Sequence, residues 1–272
     1  MLRDKIIFKG LRAEDYMHPE EKFFADKNPE NFLLIREGLD FLNDVGVQFV
    51  RQITEGKWCE LNRSVAPEVF EVAENTCRIL DYPTLPKIFV RRERNMKLVV
   101  GGTDYNQMLV PDYVLEAFDL QMLYFAFGNA VSMFKSRHVQ LATISSVICG
   151  GVLLAPVEMA LQAYLRAADL SSDRGGLLCC QDFSVAVRCI LAEVGMPLSE
   201  LRFLGDEEIL ELAENYLDET EAESFDMLTN TATFFRRVSD RRSVAAIRLR
   251  ELLNWYRDGY AQTLKKFSGR VM

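Results

Sequence analysis

The stretch "LQMLYFAFGNAVSMF", Leu120–Phe134, constrains this chain more than any other. Leu120, Leu123, Tyr124, Phe127, Val131 and Phe134 fall at i, i+3, i+4, i+7, i+11 and i+14, the period of one face of an α-helix. An apolar helix face needs other elements to cover it. The spacing therefore predicts a helix from about Asp112 to His138, broken near Asp119, inside a helical core. Further helices are expected at Asn31–Ile53, behind Pro29, and at Ala66–Tyr82, with Pro67 in its first turn and "YPTLP" as its stop. A long helix is expected from near Glu158 through "CC", a shorter one at "DFSVAVRCILAEVG", and an amphipathic one at "AAIRLRELLNWYRDGYAQTLKKF", with Trp255 and Tyr256 as packing anchors. The acidic run Asp206–Asp226 reads as a solvated helix. "PKIFVRRE", "NMKLVVGG" and the start of "QMLVPDYVLEAF" read as strands. The fold class is α+β, predominantly α: a small sheet at about residues 86–110 packed on a helical bundle.

No repeat or low-complexity tract divides the 272 residues, so a single domain is expected. Within it, 1–83 is an N-terminal helical part, 84–200 holds the sheet and central helices, and 201–272 holds the C-terminal helices. The net charge of −8 argues against a nucleic-acid footprint, which is normally basic. Six cysteines without a CxxC spacing read as structural or free thiols in a reducing compartment. "MLRDKIIFKG" lacks an apolar h-region, so a cytoplasmic location without a secretory signal is expected. Leu141–Val157 is uncharged over 17 residues. A membrane span wants about 20 apolar residues, and this stretch carries Thr143, Ser145, Ser146, two glycines and Pro156. It reads as a buried or re-entrant segment, with membrane association through Leu141–Ala160 as the weaker alternative.

"LQMLYFAFGNAVSMFKSRHV", Leu120–Val139, resembles the active-site helix of the HtpX-type and prenyl-protease-type zinc metallopeptidases. There an apolar helix leads into G-H-E-x-x-H and an "IKSGH"-like tail. Gly128 matches the residue before the motif, and Phe134, Lys135, Ser136 and His138 match the tail. "YLRAADLSSDRGGLLCCQD", Tyr164–Asp182, is similar to the family's R-A-x-E-x-S-x-D-R-x-G-L-L segment. That likeness implies Asp169 at the place of the third zinc ligand and Asp173, Arg174 and Gly176 as a scaffold motif. Weaker echoes are "LRAEDYMHP" at the N-terminus and "AIRLRELLNWYRDGYAQTL" near the C-terminus. Where the family often has a His-Pro pair before that last helix, Arg242 and Ser243 stand. The resemblance implies a zincin-like scaffold.

The chemistry of that scaffold needs His at i and i+4 to share one ion and Glu at i+1 to take a proton from its water. Asn129, Ala130 and Met133 occupy those positions. Met is a soft thioether, Ala binds nothing and Asn is no base near neutral pH. Only two histidines exist, His18 and His138, and they cannot form an HExxH pair in any register. The expectation is no metal, no cofactor and no catalytic residue, with Asn129, Ala130, Met133 and Asp169 as vestigial positions. Met133 then fills volume and Asn129 hydrogen-bonds a neighbour. Asp169 and Asp173 read as part of an ion-pair network with Arg166 and Arg174 nearby, Arg174 as a scaffold residue, and His138 as a helix-end histidine. The expected activity is that of a pseudopeptidase, binding a peptide or protein along an edge strand at "MKLVV" or "QMLV". Two alternatives stay open: a hydrolase rebuilt from Asp169, Asp173, His138 and Cys179 or Cys180, and a membrane-associated structural component.

Overall fold

The computed structural model describes residues 5–22, 58–94, 96–101, 106–136, 138–139, 155–211, 214 and 245–267. The helix expected at Asn31–Ile53 and most of the uncharged stretch, residues 141–154, lie outside them. So does the acidic run beyond 214.

The sheet has four strands: β1 (Cys59–Leu61), β2 (Lys87–Arg91), β3 (Val99–Gly101) and β4 (Gln107–Pro111). Their order is β1-β2-β4-β3, with β2 and β4 parallel and both outer strands antiparallel to their neighbours. β4 is paired on both sides and buried on both faces, as an interior strand must be. "QMLV" therefore offers no edge, contrary to the reading from sequence. The edge beside β4 is β3, from "KLVVG". β1 falls outside the expected 86–110 window. Three residues with one buried leucine, Leu61, are too short to show a period of two.

The helices are α1 (Pro67–Ile79), α2 (Asp112–Ala117), α3 (Leu120–Lys135), α4 (Ala155–Cys180), α5 (Phe183–Glu193), α6 (Leu198–Leu201), α7 (Ala245–Trp255) and α8 (Ala261–Phe267). A π-helical turn, Tyr256–Tyr260, joins α7 to α8. Pro67 opens α1 as expected. The break between α2 and α3 has a local cause: extended Asp119 accepts a hydrogen bond from the Met122 amide at 2.9 Å and so begins a new helix. Every residue of α3 from Met122 to Phe134 is buried. The sequence shows one apolar face. The opposite face is buried too, because it is made of small residues that admit another helix.

That helix is α4. A methyl group on Gly128 would lie 2.6 Å from Cys179 Cβ, and one on Gly176 would lie 2.8 Å from the Phe125 ring. The two backbones thus approach as closely as glycine allows. Residues from Phe8 to Phe267 share one hydrophobic core. Within it the N-terminal segment closes two helix ends. Asp81 and Gln181, just past α1 and α4, adopt left-handed φ of 52° and 55°. The Asp81 carboxylate accepts the Gly10 amide at 2.8 Å, and the Gln181 side chain both accepts from and donates to the Ile6 backbone.

Candidate functional site

The site expected from sequence lies where α3 crosses α4. Asp169 and Asp173 stand one turn apart on α4, on the face toward Asn129. The Asn129 amide donates to Asp173 Oδ1 at 2.9 Å. Arg248, from α7, reaches the same carboxylate with two nitrogens, Nε to Oδ2 at 2.8 Å and Nη2 to Oδ1 at 2.7 Å. Its Nη1 donates to Glu193 at 2.7 Å. This planar fork on a carboxylate is the strong form of such a pair. Burial opposes the charged guanidinium of Arg248, but Asp173 and Glu193 outweigh it and raise its pKa well above the ordinary value. Lys97, two residues before β3, donates to Asp169 at 2.9 Å.

Asp169 and Asp173 are therefore in ion pairs, as read from sequence. These pairs draw on Lys97 and Arg248, from distant segments, and Arg174 faces elsewhere. Ala130 and Met133 are buried beside Asn129 on α3. Gly176 is where the α4 backbone meets Phe125.

The opposite face of α4 carries Ser171 and Arg174, and it grips the N-terminal segment. Arg174 donates to the carbonyls of Tyr16 and Met17, at 3.4 and 3.1 Å, and lies over the Trp255 ring. Burial lowers its pKa to about 10, so it stays charged at neutral pH. Ser171 Oγ accepts the His18 amide at 2.8 Å and donates to Glu21. The Tyr16 hydroxyl pairs with Ser132 of α3 at 3.0 Å. Both histidines sit in this region. His18 Nε2 meets Glu251 at 3.1 Å and holds that carboxyl down to about 2. His138 is fully buried, with Nε2 2.6 Å from Glu21. It stands just past the end of α3, near a helix end as read from sequence, and is also an interior partner of a carboxylate.

The resemblance implies zinc, and the donor set does not fit it. Asn129 is turned so that its amide nitrogen donates to Asp173, Met133 offers a thioether, and Asp169 already holds an ammonium. Among the described residues, no three His, Cys, Asp or Glu side chains are grouped so as to hold a metal ion. The groups named for a rebuilt hydrolase are each engaged separately: Asp169 with Lys97, Asp173 with Arg248, His138 with Glu21. Cys179 packs against Gly128, and burial raises the Cys180 thiol to about 12, which suppresses the reactive thiolate. No described helix is long and apolar enough to cross a membrane.

Sequence reasoning missed Lys97, Arg248, Glu193, Glu21 and Glu251. Arg248 had a signal. It shares the helical stripe of Leu252 and Trp255, and a cation on an apolar stripe calls for a buried carboxylate.

No protein-family model matches the chain, and no solved structure matches it. Over 231 residues the chain is 23% identical to plastoglobule-localized metallopeptidase 48, chloroplastic, of Arabidopsis thaliana. The match covers 78% of this chain and 64% of that protein, so this chain spans less than two thirds of the relative's length. The likeness supports a distant relationship to a metallopeptidase. It does not single out the HtpX-type or prenyl-protease-type class.

Proposed function

We propose that this chain is a catalytically inactive metallopeptidase-like protein of the HtpX and prenyl-protease type, working as one domain. It binds an extended peptide or protein segment along β3. One observation carries the reading: the two carboxylates of the metallopeptidase-like motif are answered by the chain's own cations, Lys97 and Arg248. Hydrolysis would need a charged ion and a free base at that place. Here Asn129 stands between α3 and α4 as a hydrogen-bond donor.

The binding half of the proposal draws on the sheet. β3 pairs with β4 on one side only among the described strands, and Val99 is partly exposed. An edge of this kind takes an added strand through backbone hydrogen bonds. Cytoplasmic placement belongs to the proposal as well. The relative's name, which gives the chloroplast and plastoglobule, is the competing location, and cell fractionation separates the two.

The purified, unsupplemented protein is expected to hold substoichiometric zinc and to leave casein intact. It is expected to bind a pool of extended fluorescent peptides, and to lose them when their backbone amides are N-methylated. One zinc per chain with chelator-sensitive cleavage would end the inactive reading. Equal binding of methylated and plain peptides would end the strand-addition reading.

A further inference from the structure

Gln107 is an amide in an otherwise apolar strand. It opens β4 and is only 2% exposed, and its buried side-chain oxygen Oε1 has no hydrogen-bond partner among the described residues. A buried polar atom left unpaired destabilises a fold, and native proteins tolerate few of them.

The register sets this amide beside the free edge of the sheet. Gly101, the last residue of β3, lies directly opposite Gln107. Residues opposite one another on neighbouring strands point to the same face. The Gln107 side chain leans toward Gly101: a Cβ there would lie 3.8 Å from Nε2 and 4.0 Å from Cγ. Those are ordinary contact distances, and the Gly101 backbone is not left-handed, so neither packing nor conformation demands a glycine. The glycine instead leaves β3 without a side chain between the Gln107 amide and the outer side of the strand.

A segment added to β3 runs about 4.8 Å from it. Its residue opposite Gly101 points to the face of Gln107, with only the glycine between them. Alternate residues of an extended chain share a face, so its residue opposite Val99 meets the apolar pair Val99 and Leu109. A carboxamide carries both an acceptor and donors, so a second carboxamide answers both ends of Gln107, as in the amide ladders of stacked strands. The last torsion of glutamine is soft and two-fold, which lets either atom turn to the visitor. A carboxylate has no hydrogen for Oε1, and a chain of net charge −8 repels it. An aliphatic side chain leaves both atoms unanswered.

We infer that Gln107, reached across Gly101, determines the specificity of the β3 edge. It selects an extended segment with an asparagine or glutamine opposite Gly101 and an apolar residue opposite Val99. This rests on the strand-addition reading above and names its ligand class.

The probes are fluorescent peptides with the core Val-Thr-X-Thr-Val, X being glutamine, glutamate or methionine. The glutamine copy is expected to bind wild type about tenfold tighter than the methionine copy, with the glutamate copy weakest. Gln107→Met is expected to abolish that preference and keep the affinity of the methionine copy. Gly101→Val, which closes the opening with a strand-forming side chain, is expected to abolish it too. A preference for glutamine that survives either substitution overturns the inference. If the three copies bind wild type equally and N-methylation releases them all, strand addition stands and the inference alone falls. If no copy binds, strand addition falls and the inference falls with it.

Melting of the full chain is a test without peptide. Gln107→Met removes an unpaired amide at nearly constant volume, so it is expected to melt no lower than wild type. A fall of about 5 °C or more means that the fold itself uses the amide, and overturns the inference.

Discussion

One face of α4 carries Asp169 and Asp173, and cations answer them, from the approach to β3 and from α7. The other face carries Ser171 and Arg174, and the main chain of residues 16–18 answers them. Both faces are polar and buried, yet they fail in different ways. On the first, removing one partner strands a charge, so the cost is electrostatic. On the second, removing a side chain frees a piece of backbone that has other holds, including the Tyr16–Ser132 hydrogen bond and the His18–Glu251 pair.

The sharpest way to break this contrast is Arg248→Met. It leaves Asp173 and Glu193 buried without their shared cation, and the expected loss is about 3–5 kcal/mol in urea or guanidinium unfolding. Adding Asp173→Leu and Glu193→Leu to that variant should return much of the loss, since an apolar replacement of a buried ion pair is often neutral. If the triple variant stays as unstable as the single one, stranded charge is not the cause. Arg174→Met probes the other face. It removes two bonds to carbonyls and the stacking on Trp255, and about 2 kcal/mol is expected. A cost equal to that of Arg248→Met would erase the distinction between the faces.

The smallest effect is in acid. Glu251 is held at about 2 by the His18 hydrogen bond, against an ordinary 4.5. A carboxyl with a depressed folded-state pKa stabilises the fold above its unfolded pKa. That contribution is lost as pH falls from about 4.5 toward 2. After allowance for solvent screening it is about 1 kcal/mol. His18→Gln should lose about 1 kcal/mol near neutral pH, flatten the profile between about 4.5 and 2, and meet wild type below it; a profile as steep as wild type would assign the acid loss elsewhere.

What the sequence disclosed follows the range of its signals. The helix start at Asp119, the proline at the head of α1 and the strand at "KIFVR" are local, set by neighbours within a turn. The small residues of α3 were visible, but their purpose was not, because close helix approach depends on α4, more than 40 residues away. Asn129, Asp169 and Asp173 were singled out as residues. Their partners were not, since Lys97 and Arg248 lie 72 and 75 positions from the aspartates they meet. Arg174 was nearer in sequence, yet it faces Tyr16, Met17 and Trp255. β4 was taken for an edge because a strand's neighbours are absent from its own five letters.

The glycine crossing of α3 and α4 bears on how such a chain can change over time. At Gly128 and Gly176 even one added carbon collides with the opposite helix, so a replacement there threatens the whole fold at once. Asn129, Ala130 and Met133 are buried on the same helix, but side chains rather than bare backbone fill their places. On the inactive reading proposed above, a lineage can shed its chemistry at such positions while the glycine frame persists. The silhouette of an enzyme would then outlive its activity in the letters of the chain.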